Sequence, residues 1–378
     1  MLKPFKTLAL AGALFWFASA AAAAESQSGA FANVPGGKLW YETCGSGRQA
    51  MVLIHDGTLH SVGWDDVWPA LCQSFHVVRY DRRGYGRSPE AKSAYSPVDD
   101  LQEVMRAAGI EHGVIVGASN GGGLAVDFTL AHPDEVDRLV LVGPEASGLS
   151  HSRHFIDREV ELEGQLARGD VLGAIKGSWL FPPGDNADVT RLLKLVMASP
   201  QDIGHKDPAM PRPPAAPHLG EIKAPTLVVV GEDDVADNQA QAGVVEFAIP
   251  GARRVVVRGA GHLVYMTQPA VFADIVTRFV LGVATPGTEE ALRRLTDEFA
   301  RGAPDYSRMS PALAGFFRAH PELVKASPMG AIKSVTFKGV STEGADIFIV
   351  VRERGSAEAR ITLDKDGRIE DLRYRPLP

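Results

Sequence analysis

The sequence predicts an α/β domain built on a mostly parallel sheet, followed by a smaller α+β domain of helices on an antiparallel sheet. Three observations predict this. Between residues 38 and 281, short continuous apolar runs alternate with helical segments, as expected for strands covered on both faces. The alternation breaks over residues 147–221, a mainly helical insertion ending in Pro211-Arg212-Pro213-Pro214, and then resumes. After Ala284-Thr285-Pro286-Gly287, two amphipathic helices are followed by four strands in a row. A chain of 378 residues that is 45% apolar has enough material for two ordinary domains. Its net charge of −7 argues against a nucleic-acid partner.

The N-terminus precedes the fold. Lys3 and Lys6 form a positive start, residues 7–20 an apolar stretch, and Ala22-Ala23-Ala24 a small-residue cleavage site before Glu25. This is the pattern of a secretory signal peptide over 1–24, and the apolar stretch is short for a membrane span. A secreted or periplasmic protein with no stable membrane insertion after cleavage is expected. Cys44 and Cys72 then mature where disulfides persist. Cys44 ends a strand and Cys72 ends the helix before the next strand, so they either bridge or stay as two separate buried thiols.

Residues 38–44 and 50–56 read as strands around Gly45-Ser46-Gly47, 64–73 as a helix and 75–81 as a strand. Ser96-Pro97, with Asp99 three residues after the serine, opens a helix running to about 108. Val114-Ile115-Val116 is a buried strand, residues 122–128 a small-residue helix that packs close to the sheet, and 139–142 the next strand. Residues 147–221 form a lid over the strand ends. Strands at 225–230 and 254–257 complete the first domain, 25–283. After a linker at 284–287, the second domain, 288–378, has helices at 289–300 and 311–317. Its strands fall at 332–338, 346–352, 359–363 and 369–374, with turns at Gly344 and Asp364-Lys365-Asp366-Gly367.

The chemistry centres on Gly117-Ala118-Ser119-Asn120-Gly121. Strand, G-x-S-x-G and helix make a nucleophile elbow, a turn sharp enough to thrust the serine out at the top of the sheet. A serine hydroxyl attacks a carbonyl only with a base in reach and a third group orienting that base. Gly231-Glu232-Asp233-Asp234 and Gly259-Ala260-Gly261-His262 each directly follow a strand. Both therefore lie at the sheet edge where Ser119 emerges, in the chain order nucleophile, acid, histidine.

With these segments, and with Ile54-His55-Asp56-Gly57 and Asp81-Arg82-Arg83-Gly84-Tyr85-Gly86-Arg87-Ser88, the chain over 37–281 resembles the α/β-hydrolase family. The resemblance implies Ser119 as nucleophile and His262 as general base and then acid. Asp234, which closes the Gly-x-x-Asp turn, is implied as the orienting carboxylate; Asp233 and Glu145 stand behind it as alternatives. It implies oxyanion donors from the backbone N–H of Asn120 and from the loop after His55. Asp56 stands where the family has glycine, which leaves Gly57 or Thr58 as the second donor. The Asp56 carboxylate either disfavours anionic substrates or caps its loop.

The implied activity is hydrolysis of carboxylic esters, lactones among them, through an acyl-enzyme on Ser119, with no metal or organic cofactor. A carbon–carbon bond hydrolase using the same triad is the alternative. A non-catalytic binding protein on this fold would predict a broken triad, whereas all three members are present. The lid sequence shows no recognisable amine-binding acidic cluster, which weighs against a peptidase. His151 and His154 are either a metal pair or part of a solvated lid, and Trp179-Leu180-Phe181 either pocket wall or lid core. His60 and Trp64 follow the oxyanion loop and face either pocket or core. The C-terminal part looks similar to the cone-shaped NTF2-like folds, which implies a homodimer through this domain besides a small-molecule ester substrate. That domain is expected to be dispensable for chemistry.

Edman sequencing of the exported protein should begin at Glu25; recovery of Met1 in the membrane fraction would contradict the cleaved signal.

Overall fold

The computed structural model describes residues 28–177, 180, 187–203, 208–324, 330–341 and 343–377. The signal segment expected over 1–24 lies outside the described residues, as do Trp179 and Phe181. Among the described residues, no helix is long and apolar enough to cross a membrane.

The larger sheet contains β1 (Ser28–Val34), β2 (Gly37–Cys44), β3 (Ala50–Ile54), β4 (His76–Tyr80), β5 (Gly113–Ala118), β6 (Val136–Val142), β7 (Thr226–Gly231) and β8 (Arg253–Val257). Its spatial order is β1-β2-β4-β3-β5-β6-β7-β8. β1 and β2 are antiparallel, and from β4 to β8 every pairing is parallel. Between and after these strands run α1 (Trp68–Cys72), α2 (Pro97–Ala107), α3 (Asn120–Ala131), α4 (Arg153–Ala167), α5 (Val171–Gly177), α6 (Ala187–Ala198), α7 (Ala236–Ala248), α8 (Val264–Thr267) and α9 (Pro269–Leu281). The period of two sorts each strand between two cores. Met51, Leu53, Val114 and Val116 face Trp64, Phe75 and Phe272. Val52, Ile54, Ile115 and Val228 face Leu101, Leu124 and Phe128.

Three sequence expectations are corrected. The helix expected over 64–73 is a 3-10 turn at Ser61–Trp64 and a separate α1 starting at Trp68. Pro69 explains the late start, because a residue without a backbone N–H fits only the first turn. The strands flanking Gly45-Ser46-Gly47 are not neighbours, since β4 lies between them. Finally β1, which the sequence reading omitted, forms a hairpin with β2. At the opening of α2 the Ser96 side chain accepts from the Asp99 N–H at 3.2 Å, as a cap should.

The C-terminal part carries α10 (Thr288–Ala300), α11 (Pro311–Ala319) and the antiparallel strands β9 (Ile332–Val340), β10 (Asp346–Arg352), β11 (Gly355–Leu363) and β12 (Ile369–Leu377). Their order is β12-β11-β10-β9, a meander. Leu292, Leu295, Phe317, Phe348 and Ile361 form its own core. It is tied to the larger sheet by Phe337, which packs on both cores, and by the buried Asp346. Asp346 accepts from Arg278 of α9 at 2.6 Å and from the Thr285 N–H and the Thr288 hydroxyl at 2.7 Å each. The connection at 284–287 is therefore pinned rather than slack.

Cys44 and Cys72 are bonded, with Cα atoms 5.5 Å apart and 28 positions apart in sequence. Closing a loop of that length restricts the unfolded chain by about 3 kcal/mol. Replacing both cysteines with alanine should lower the unfolding free energy in urea by about that amount; an unchanged midpoint would contradict the contribution.

Candidate active site

Ser119 is the only non-glycine residue with positive φ among the described residues, at φ 52° and ψ −120°. Its N–H donates to the Val142 carbonyl of β6 at 2.8 Å, and its own carbonyl accepts from Gly122 and Gly123 as α3 begins. The turn closes only because the next position is bare. A Cβ on Gly121 would stand 2.3 Å from the His55 carbonyl oxygen.

Asp234 and His262 stand past the ends of β7 and β8. Both side chains are buried, and His262 Nδ1 lies 2.8 Å from Asp234 Oδ2. Asp234 Oδ1 accepts from the Val235 N–H and from Asn238 Nδ2, each at 2.8 Å. Asn238 also lies 3.0 Å from His262 Nδ1. The other ring nitrogen, Nε2, is buried and has no hydrogen-bond partner among the described residues. Burial opposes a charge on this imidazole. The Asp234 charge and hydrogen bond, with Glu145 and Asp56 behind them, outweigh burial and raise its pKa above the ordinary 6.5. Gly143 joins this pair to the elbow. It directly follows Val142, has φ +49°, and a Cβ there would meet His262 Cε1 at 2.7 Å.

The structure thus brings Ser119, Asp234 and His262 to one sheet edge. Asp233, an alternative acid, is exposed. Glu145, the other, lies beside the serine: Ser119 Oγ donates to Glu145 Oε1 at 3.3 Å.

The loop after His55 resolves the role of Asp56. The carboxylate is buried and caps its own loop, accepting from the Thr58 N–H at 2.5 Å and the Leu59 N–H at 3.2 Å. Its second oxygen accepts from the buried Tyr265 hydroxyl at 2.6 Å. Burial and Asp56 together hold that phenol well above its usual range. The Thr58 N–H, one of the two expected second donors, is thus engaged by the Asp56 carboxylate. A Cβ on Gly57 would lie 3.7 Å from Asn120 Cβ, so the two expected donors belong to adjoining backbone. Arg82 braces them, donating to Asn120 Oδ1 at 2.6 Å and to the Asp56 carbonyl at 2.7 Å.

Trp64 is core, stacked on Tyr265 with ring centroids 4.0 Å apart. His60 meets the lid. The buried Asp202 accepts from His60 Nδ1 at 2.7 Å and from the Gly86 N–H at 2.8 Å, joining three segments. Burial disfavours the His60 cation, but the Asp202 hydrogen bond and the neighbouring carboxylates raise its pKa. In the lid, Leu180 packs on the core, and His151 stacks on Phe155 at 4.2 Å. Among the described residues, no group of three histidine, cysteine or acidic residues is placed to hold a metal.

Sequence reasoning missed Asn238, Asp202, Tyr265 and the lid acid Glu159. Burial, and after it Glu145 and Glu163, push Glu159 up to about 7. The Glu145 contribution comes from a segment distant in sequence from Glu159, which is why neither segment displayed it alone. Only Asn238 left a signal: it lies four residues after Asp234, one turn into the following helix.

The profile of the Alpha/beta hydrolase family matches residues 51–275. A 2-hydroxy-6-oxononadienedioate/2-hydroxy-6-oxononatrienedioate hydrolase of Klebsiella pneumoniae is 28% identical over 281 residues, covering 68% of this chain and 96% of its own. An uncharacterized protein of Mycobacterium tuberculosis is 26% identical, covering 66% of this chain and 80% of its own. Among solved structures, a carboxylesterase of Bacillus subtilis superposes with a TM-score of 0.57 at 20% identity, over 68% of this chain and 93% of its own.

The His262 imidazole should titrate above 6.5 by NMR, and Asp234→Asn should move its midpoint down. A wild-type midpoint at or below the ordinary value would contradict the Asp234 coupling.

Proposed function

The chain belongs to the α/β-hydrolase family, and on that basis we propose that it is a serine hydrolase of carboxylic esters, lactones among them. The observation that carries the reading is the buried Asp234–His262 pair, whose unpartnered Nε2 stands at the sheet edge that bears the strained Ser119.

In this reading Asp234 fixes the imidazole with its proton on Nδ1, leaving Nε2 as the base. Ser119 Oγ turns from Glu145 toward Nε2, gives up its proton and attacks the ester carbonyl. The oxyanion that forms is met by the Asn120 and Gly57 N–H groups, aimed in advance by the elbow and by the loop that Asp56 caps. His262 returns the proton to the leaving alkoxide. A water, deprotonated by the same nitrogen, then attacks the acyl-enzyme, and His262 passes that proton to the departing Ser119 Oγ as the acid is released.

The Klebsiella relative favours a second reading, cleavage of a carbon–carbon bond beside a ketone by the same three residues. Export after residue 24, dimerisation through the C-terminal part, its NTF2-like character and its dispensability for chemistry are also proposals.

Turnover of p-nitrophenyl esters should fall by on the order of 10⁴-fold or more in Ser119→Ala. Because His262 must be neutral to act and its pKa is raised, kcat/KM should climb with pH through a midpoint above 6.5. Equal rates in wild type and mutant would refute the nucleophile; ester inertness with Ser119-dependent cleavage of a vinylogous diketone would favour the second reading.

A further inference from the structure

A cavity of about 290 Å³ lies between the larger sheet and the C-terminal meander. The starts of β6, β7 and β8 and the ends of α9 and β9 enclose it, so it opens at the sheet edge opposite Ser119. Four cationic side chains line it: Arg138 of β6, Arg253 of β8, Arg278 of α9 and Lys338 of β9. None of its described lining residues is acidic. Phe279 and Phe337 supply apolar walls.

The backbone is shaped to present these cations. A regular strand sends consecutive side chains to opposite faces, yet Phe337 and Lys338 both line the cavity. Phe337 pairs with Phe348 and Gly339 with Ile347, so Lys338 is the extra residue of a β-bulge, which re-aims its side chain. Gly339 in turn seats Arg253. It has φ +122°, and a Cβ there would stand 2.2 Å from Arg253 Nη1. That nitrogen is buried against the bare position and has no hydrogen-bond partner among the described residues.

Of the four cations, Arg278 already has its counter-charges, donating to Asp274 at 2.7 Å and to Asp346 at 2.6 Å. Arg138 lies over the Phe279 ring, 5.5 Å from its centroid. Among the described residues, Arg138, Arg253 and Lys338 make no ion pair. A half-buried guanidinium held in place without an acceptor is best satisfied by an anion.

We infer that this cavity binds a small carboxylate carried on an apolar body. The two oxygens of a carboxylate match the edge of the Arg253 guanidinium, with the Lys338 ammonium beside it. The phenylalanine walls take the body, best an aromatic one. A bare inorganic anion would meet the cations and leave those walls unfilled. The volume lies near the lower end of the range for small-molecule sites, about 300–1,000 Å³. Because both parts of the chain line the cavity, a bound carboxylate ties β9 to β6 and β8 and stabilises the folded state. The site is separate from Ser119 and does not depend on the proposed hydrolysis.

Calorimetric titration of the full protein with 4-phenylbutyrate, its neutral amide and inorganic phosphate tests this. The carboxylate should bind tighter than either by about tenfold or more, a difference of about 1.4 kcal/mol. Lys338→Gln, at an exposed side chain, and Arg253→Gln should each weaken it by about tenfold. Arg354→Gln, in the exposed turn at the other end of the meander, should leave it unchanged. The carboxylate should also raise the Tm of wild type, but not of the Arg253→Gln, Lys338→Gln double variant. No binding of the carboxylate, or amide or phosphate binding as tightly as it does, overturns the inference. So does binding untouched by the Arg253 and Lys338 substitutions, which would place the ligand elsewhere, or binding weakened equally by Arg354→Gln, which would reduce it to general charge.

Discussion

The structure turns on the backbone of Ser119. A β-carbon-bearing residue at φ 52° and ψ −120° is strained by about 1–3 kcal/mol, and such a conformation persists only where its surroundings over-determine it. Here they do. The Ser119 N–H is tied to β6, the first turn of α3 takes its carbonyl, and Gly121 lets the His55 carbonyl approach closer than any side chain permits. The parallel strands β3, β5 and β6 thus place three loops against one another at a single edge. That crowding forces the serine outward.

Carboxylates dominate the edge, and their partners distinguish them. Asp234 is paired with an imidazole and Asp56 with a phenol and two backbone donors. Asp202 joins the lid to His60 and Gly86. Each is buried and satisfied, as a buried charge must be. Glu145 differs: among the described residues its carboxylate accepts from the neutral Ser119 hydroxyl, and its charge helps to raise the Glu159 pKa.

The shared edge of Ser119, Asp234 and His262 was legible because each sits immediately after an apolar strand, and strand ends on one edge of a parallel sheet are neighbours whatever their separation in sequence. Asp56 was legible as a departure but not as a cap, because Tyr265, its partner, lies more than two hundred residues away. The break of the helix expected over 64–73 is encoded in Pro69, which fits only the first turn of a helix. The Cys44–Cys72 alternative was open in sequence, since bonding requires the 5.5 Å approach that folding supplies.

By itself, then, the sequence determined the layered α/β architecture, the second antiparallel sheet and the residues able to carry the chemistry. Those follow from local periodicity, turn chemistry and chain order. Only the tertiary structure decided that β4 lies between β2 and β3, that Thr58 is engaged by Asp56, and that Tyr265 donates to the Asp56 carboxylate. Strand order and electrostatic environment depend on which distant segments share a surface. No local pattern encodes that, because the energy of a buried charge is set by its neighbours in space rather than in the chain.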